Sequence, residues 1–346
     1  MNNENKDILI NLLNQHKELG ISEQIDYNKF YLYSIITHST AIEGSTVTEV
    51  EAQLLFDEGI TSSKRTMIEQ MMNLDLKAAY DYGMKWIRDH EDITVDWLVY
   101  LASKVMARTG SEYKSLGGDF SAARGELRKL NVTAGAGGKS YIHYQKVPMK
   151  LQAFCEELNK RRKAIDPNDV AAVYDLSFWA HFELVTIHPW ADGNGRTCRL
   201  LMNLLQMEYG VLPTKVLKED KAEYIQALID TREEEDINIF LNTMASLHCR
   251  HLKYDIDTFI SSVAKEMDST SSPELVDKWS IKPNLADKLA DILVFMADKD
   301  EIRTEMIVGK LGFTETTAKR YLRQLTEFGY LEAHGGNKNR TYVKKV

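Results

Sequence analysis

At 346 residues the chain is too long for one ordinary domain and too short for more than three, so two or three cores are expected. A composition of 44% hydrophobic and 27% charged residues excludes a disordered or fibrous protein, and a net charge of −8 excludes binding to nucleic acid by overall charge. Six prolines, the first at Pro148, leave nearly half of the sequence without the strongest helix breaker, which points to a mainly α protein.

In chain order, Phe30, Tyr31, Ile35, Ile36 and Ile42 recur at helical spacing from Tyr27, and the helix stops at Glu43-Gly44 with Gly44 as a left-handed cap. Thr46 or Thr48 starts a short helix through Phe56. A long helix follows from about Thr66 to His90, and Trp97, Leu98, Leu101 and Val105 mark the next. Residues 131–147, NVTAGAGGKSYIHYQKV, break this regime with three glycines between β-prone pieces and read as a hairpin. Gly138-Lys139-Ser140 is not the end of a phosphate-binding P-loop, because Thr133 stands where that motif needs glycine and Tyr141, Ile142 and Tyr144 alternate like a strand. Helices resume over 148–164, 170–187, 194–209, 221–231 and 236–267. Residues 268–283, with two prolines and a serine cluster, read as a linker.

From Asn284 three short helices, with a Gly312-Phe313-Thr314 turn before the third, lead into a hairpin around Gly335-Gly336, the pattern of a winged helix-turn-helix. The expected domains are therefore 1–90, a helical region; 91–267, a catalytic body; the 268–283 linker; and 284–346, a small terminal domain. Cys155, Cys198 and Cys249 are odd in number and far apart, which suits reduced thiols of a cytoplasmic protein. No apolar run is read as approaching the ~18 residues of a membrane span, so no membrane partner is expected.

The densest chemistry lies in His188-Pro189-Trp190-Ala191-Asp192-Gly193-Asn194-Gly195-Arg196-Thr197-Cys198-Arg199. Glycines at a helix start free backbone N–H groups to form an anion nest suited to phosphate. Arg196 and Arg199 share one helix face, Asp192 offers an oxygen ligand suited to magnesium, and His188 is a general base near neutral pH. His181-x-Glu183 lacks the Pro-Cys-x-x-Cys that a zinc deaminase needs, and His181 and His188 are too far apart for paired zinc ligands, so His181 reads as a core histidine.

The string resembles the motif of the Fic (Fido) family, His-Pro-Phe-x-Asp/Glu-Gly-Asn-Gly-Arg-x-x-Arg, complete here except for Trp190 in place of phenylalanine. The resemblance implies a mainly α bundle with a β-hairpin flap, and transfer of AMP from ATP to a serine, threonine or tyrosine hydroxyl of a target protein or of the chain itself. It implies His188 as catalytic base and Mg²⁺ on Asp192. Gly193, Asn194, Gly195, Arg196 and Arg199 would hold the phosphates, and Tyr224 would lie by the adenosine. The flap, Lys139, Ser140, Tyr141, Ile142 and His143, would fix the target's register by strand addition. Lysine at the second glycine position marks the family's kinase-like branch, and Gly195 argues against it.

Ser39-x-x-x-Glu43-Gly44 resembles the family's inhibitory pattern, in the class whose brake lies upstream in the same chain. Glu43 would pair with Arg199 and fill the room of the γ-phosphate; a further implied role is removal of AMP from a modified target. Since a glutamate at a helix C-terminus is disfavoured by the dipole, something must offset it. In residues 282–346 twelve basic against nine acidic residues give a local +3. Lys319, Arg320 and Arg323 are expected on an exposed face of the third helix, with Lys338, Arg340, Lys344 and Lys345 near the hairpin, for a DNA or protein partner. The alternative for the whole chain is a nucleotide-sensing, DNA-binding transcriptional regulator. A homodimer is a further expectation.

Overall fold

The computed structural model describes residues 1–134, 139–268, 283–296, 299, 301–336 and 340–345. It is mainly α, as expected, and divides into two units: residues 1–9 with 30–248, and residues 10–29 with 249–346.

The chain opens with α1 (Asn3–Glu18), whose residues divide between the units; in the first unit, most of α2 (Tyr27–Ile42) with α3 (Glu49–Asp57), α4 (Met67–Ile87) and α5 (Val95–Val105) lead to a short antiparallel pair, β1 (Glu112–Tyr113) and β2 (Phe120–Ser121). Then come α6 (Val147–Ala164), α7 (Val170–Ile187), α8 (Asn194–Glu208) and α9 (Lys221–Glu234). Two capping boxes set helix starts. Thr48 accepts from the Glu51 N–H while the Glu51 carboxylate accepts from the Thr48 N–H, and Thr66 and Glu69 repeat the arrangement. The short helix after Gly44 thus starts from Thr48, the second of the two predicted caps.

α7 is buried on nearly all sides and packs against α8, which also packs against α4. At 18 residues α7 is long and apolar enough to cross a membrane, a correction to the sequence reading, but most of it is buried inside this unit and it serves as the core helix. Gly83 sits inside α4, where glycine is disfavoured. A Cβ there would lie 2.4 Å from Leu204 Cδ1 of α8. Gly83→Ala is therefore expected to lower stability by roughly 1–3 kcal/mol through overpacking, despite alanine's better helix propensity, measurable by urea denaturation.

The N-terminal segment does not form a domain of its own: α2 and α4 belong to the same unit as α7 and α8, because α4 buries its apolar face on α5 and α8. The division also falls at 248/249, inside α10 (Ile237–Asp268), rather than in the predicted linker, most of which lies outside the described residues. The reason is apolar: Ile256 and Phe259 of α10, with Leu19 and Ile21, share a core with Leu289, Leu322, Leu325 and Phe328. In this second unit are α11 (Pro283–Met296), α12 (Thr304–Leu311) and α13 (Glu315–Glu327). A three-stranded antiparallel sheet in the order β3-β5-β4 completes it, from β3 (Glu301–Ile302), β4 (Leu331–His334) and β5 (Thr341–Lys344). β3 carried too short a pattern to be seen in the sequence.

Gly312, at φ 72°, ends α12 in the left-handed conformation and makes the turn into α13. Ala318, Leu322 and Leu325 face inward as expected. The basic face is less free than expected. Lys319 pairs with Glu315 at 2.6 Å, Arg323 pairs with Glu327 at 2.9 Å and Glu18 at 2.5 Å, and Arg320 is half-buried over the Tyr321 ring.

Candidate active site

α7 ends at His188, which takes the left-handed conformation at φ 52° and ψ 62°, costly for a residue with a Cβ. Its ring Nδ1–H donates to the Val185 carbonyl at 3.3 Å, which leaves Nε2 as the acceptor. Burial, with Arg128 and Arg232 adding to it, pulls the imidazole down to about 4, against the opposing influence of the Val185 carbonyl and Glu43. The ring is neutral at pH 7 and able to take a proton.

The loop after His188 is closed by its own side chains. Asn194 accepts from the Trp190 N–H at 3.1 Å and donates to its carbonyl at 2.8 Å. Trp190, fully buried, donates from Nε1 to the Gly125 carbonyl at 2.9 Å, so the larger aromatic anchors the loop in the core. Gly193 precedes α8 at φ 79°, where a Cβ would lie 2.7 Å from Met106 Sδ; only glycine fits there. The Asp192 carboxylate accepts from the Gly193 N–H at 2.6 Å and lies 3.6 Å from Arg196.

Arg196 and Arg199 are both 3% exposed. Arg196 reaches Met106 Sδ through Nη2 at 3.1 Å, while its Nε and Nη1 are buried with no hydrogen-bond partner. A buried guanidinium with two unused donors beside a helix N-terminus is half of an anion site. Arg199 is engaged through Nε and Nη2. Its Nε donates to Ser39 Oγ at 2.9 Å, and its Nη2 to the Ser39 carbonyl at 2.9 Å and to Glu43 Oε1 at 2.7 Å.

The end of α2 explains why Glu43 stands there. The Ser45 N–H donates to the Thr40 carbonyl and the Gly44 N–H to the Ala41 carbonyl, a Schellman closure with Gly44 at φ 105°. Glu43 is thereby the C-cap, directly after the last residue of α2, and Arg199 is the cation that offsets both its charge and the dipole. Burial would raise the Glu43 carboxyl, but the Arg199 guanidinium prevails and holds it below its ordinary value. The carboxylate lies over the start of α8, where a Cβ on Gly195 would meet Oε1 at 2.6 Å.

Among the described residues Thr133 and Ser140 form a bridge, flanked by Ala134 N–H to Lys139 O and Tyr141 N–H to Val132 O, both 3.1 Å; residues 135–138 lie outside the described residues. Of the five flap residues, Tyr141 reaches the site. Its ring stacks on His188 with centroids 3.9 Å apart, and Arg232 covers it at 5.1 Å. Lys139 pairs with Glu233, Ser140 is exposed, Ile142 contributes its carbonyl, and His143 turns away against Tyr144. Tyr224 is fully buried behind Arg199, its hydroxyl on His181 Nε2 at 2.9 Å, which makes both core residues here. Sequence reasoning missed Arg128, Arg232 and Met106, which carry no periodic or motif signal.

For magnesium, Asp192 is the fitting residue: its side chain is 55% exposed at the mouth of the nest. Among the described residues no group of three His, Cys, Asp or Glu side chains could hold a metal without further ligands. One carboxylate suits an ion that takes its other ligands from phosphates and water.

Residues 92–206 match the model of the Fic/DOC family. Two relatives are a protein adenylyltransferase fic-1 of Caenorhabditis elegans, 26% identical over 69% of this chain and 43% of its own length, and a protein adenylyltransferase Fic of Nematostella vectensis, 27% identical over 66% and 48%. The chain thus spans less than half the length of these relatives. Among solved structures, a Fic domain containing signaling protein from Bacteroides thetaiotaomicron aligns over 72% of this chain and 95% of its own at a TM-score of 0.59 and 21% identity. A Fic family protein from Desulfovibrio desulfuricans aligns over 97% and 95% at 0.54 and 17% identity, a likeness of fold. The motif at 188–199 lies inside the segment, residues 92–206, that matches the Fic/DOC family model.

Proposed function

We propose that this chain transfers AMP from ATP to a protein hydroxyl, and that Glu43 restrains it. The observation that carries the reading is Arg196, buried at the start of α8 with two donors unused, within the same loop and helix as a neutral His188. His188 Nε2 takes the proton of a serine, threonine or tyrosine hydroxyl as its oxygen attacks the α-phosphorus in line. The bond from that phosphorus to the bridging oxygen breaks and pyrophosphate leaves. Arg196 and the first N–H groups of α8 stabilise the charge that develops on the phosphates. Mg²⁺, held by Asp192, would neutralise further phosphate charge. Arg199 would meet the outer phosphate once Glu43 withdraws, because the two compete for one guanidinium.

The second unit reads as a winged helix-turn-helix. With Lys319 and Arg323 already paired to acids of the chain, it offers DNA phosphates little unpaired charge on α13, and the regulator reading stands second.

The test offers the protein ATP labelled at the α- or the γ-phosphate. Label from the α-position is expected on protein hydroxyls and none from the γ-position. Label from γ alone means phosphoryl transfer and overturns the reading.

A further inference from the structure

Arg128 is among the largest fully buried side chains of the molecule, at 1% exposed. Buried arginines ordinarily face a carboxylate. Here the guanidinium donates to three main-chain carbonyls: Nε to His188 at 2.7 Å, Nη1 to Leu130 at 2.9 Å and Nη2 to Ile142 at 2.6 Å. Its own backbone N–H donates to the Pro189 carbonyl at 2.9 Å. Two consecutive carbonyls of the catalytic loop are thus held by one residue, in a stretch where His188 is strained and Pro189 has no N–H to anchor itself. The third bond goes across to the flap, one residue beyond Tyr141, whose ring lies on the imidazole.

We propose that Arg128 is a positioning residue that locks the flap strand and the catalytic histidine into one register, so that an acceptor segment laid along the flap presents its hydroxyl to His188 Nε2. A planar fork does this where a point charge cannot, because its donors fix several carbonyls in one plane. The charge has a second effect. The groups facing His188 are Arg128 from its loop, Arg232 of α9, Glu43 at the end of α2 and the Tyr141 ring of the flap; the two arginines oppose protonation of the imidazole and Glu43 favours it. The inference rests on His188 acting as base, and the test separates the two.

In a Glu43→Gly background, Arg128→Met and Arg128→Lys would be compared with the parent. The readouts are NMR titration of the His188 ring, amide hydrogen exchange of residues 139–143, and AMP transfer to a library of serine, threonine and tyrosine peptides. With methionine the titration midpoint is expected to rise by about one unit. Flap exchange should accelerate roughly tenfold. Transfer should fall roughly 100-fold through the acceptor, with half-saturation by ATP within about twofold of the parent. With lysine the midpoint should stay, because the charge stays, while transfer remains roughly tenfold low. Unchanged flap exchange and an unchanged His188 midpoint in the methionine variant overturn the proposal, and so does a loss of transfer that only follows a loss of folded protein. Shifts in both readouts with no transfer by the parent leave the clamp standing and overturn the base reading alone.

Discussion

Glu43→Gly is expected to raise AMP transfer from ATP by roughly 10- to 100-fold, the equivalent of a charge-assisted hydrogen bond of about 1.5–3 kcal/mol that ATP no longer has to displace. The carboxylate occupies Arg199 at 2.7 Å and crowds Gly195 at the start of α8. Ser39→Ala removes one of the three bonds to Arg199 and should fall between wild type and the glycine variant. A second readout needs no turnover. Removing Glu43 leaves a buried guanidinium short of a partner, so the variant should melt below wild type, and ATP should raise its melting temperature by more. The sign with pH follows from the lowered carboxyl: the pair's stabilisation is fully present above the ordinary carboxylate range and is lost as pH falls through the depressed value. Mild acidification to pH 6 should therefore leave the brake in place. Equal labelling by wild type and Glu43→Gly across nucleotide concentrations would rule the brake out.

His188→Ala is expected to lower transfer by roughly 10²- to 10⁴-fold while leaving ATP binding nearly unchanged, since no phosphate contact depends on the imidazole. With the ring held down to about 4 by burial and the two nearby arginines, kcat/KM in the Glu43→Gly background should stay flat from neutral pH to about 5. An acid limb near the ordinary histidine value, about 6.5, would contradict the burial described for the ring. Stability has its own sign. A histidine whose folded value is lowered binds its proton first in the unfolded chain, so the fold weakens as pH drops from about 6.5 toward 4. The alanine variant lacks that contribution, and its melting temperature should depend less on pH across that window.

The sequence made the reacting groups legible because their chemistry requires fixed spacing. Arg196 and Arg199 had to share a face, and the glycines had to free a helix start, whatever surrounds them. Glu43 was legible only together with the downstream motif, and its Arg199 partner, 156 residues away, came with the resemblance to a known family. The helix start near Thr66 was legible and that at Thr48 was one of two candidate caps; the capping boxes with Glu51 and Glu69 settle both. What the sequence hid was non-local. Arg128 lies between a leucine and a lysine in an aperiodic loop and spends its donors on backbone atoms, which carry no side-chain signature. The unit boundary was hidden for a similar reason: α10 keeps one helical pattern throughout while its apolar residues change partners. Tyr141 stood in the flap as one of five equivalent candidates until the fold set its ring on His188.

The closure of α2 by Gly44 has a consequence for how such a brake responds to its surroundings. Glu43 is carried by the same chain as the arginine it occupies, so it acts as a tethered ligand at a fixed effective concentration, of millimolar order for short tethers and undiluted by the solvent. Under the proposed function ATP would compete with it as a free ligand whose concentration varies. On this reading the uninhibited fraction is set by the ratio of the two, and the chain behaves as a set point on nucleotide supply. The cap geometry at Gly44, by fixing how firmly the carboxylate is presented, fixes where that set point lies.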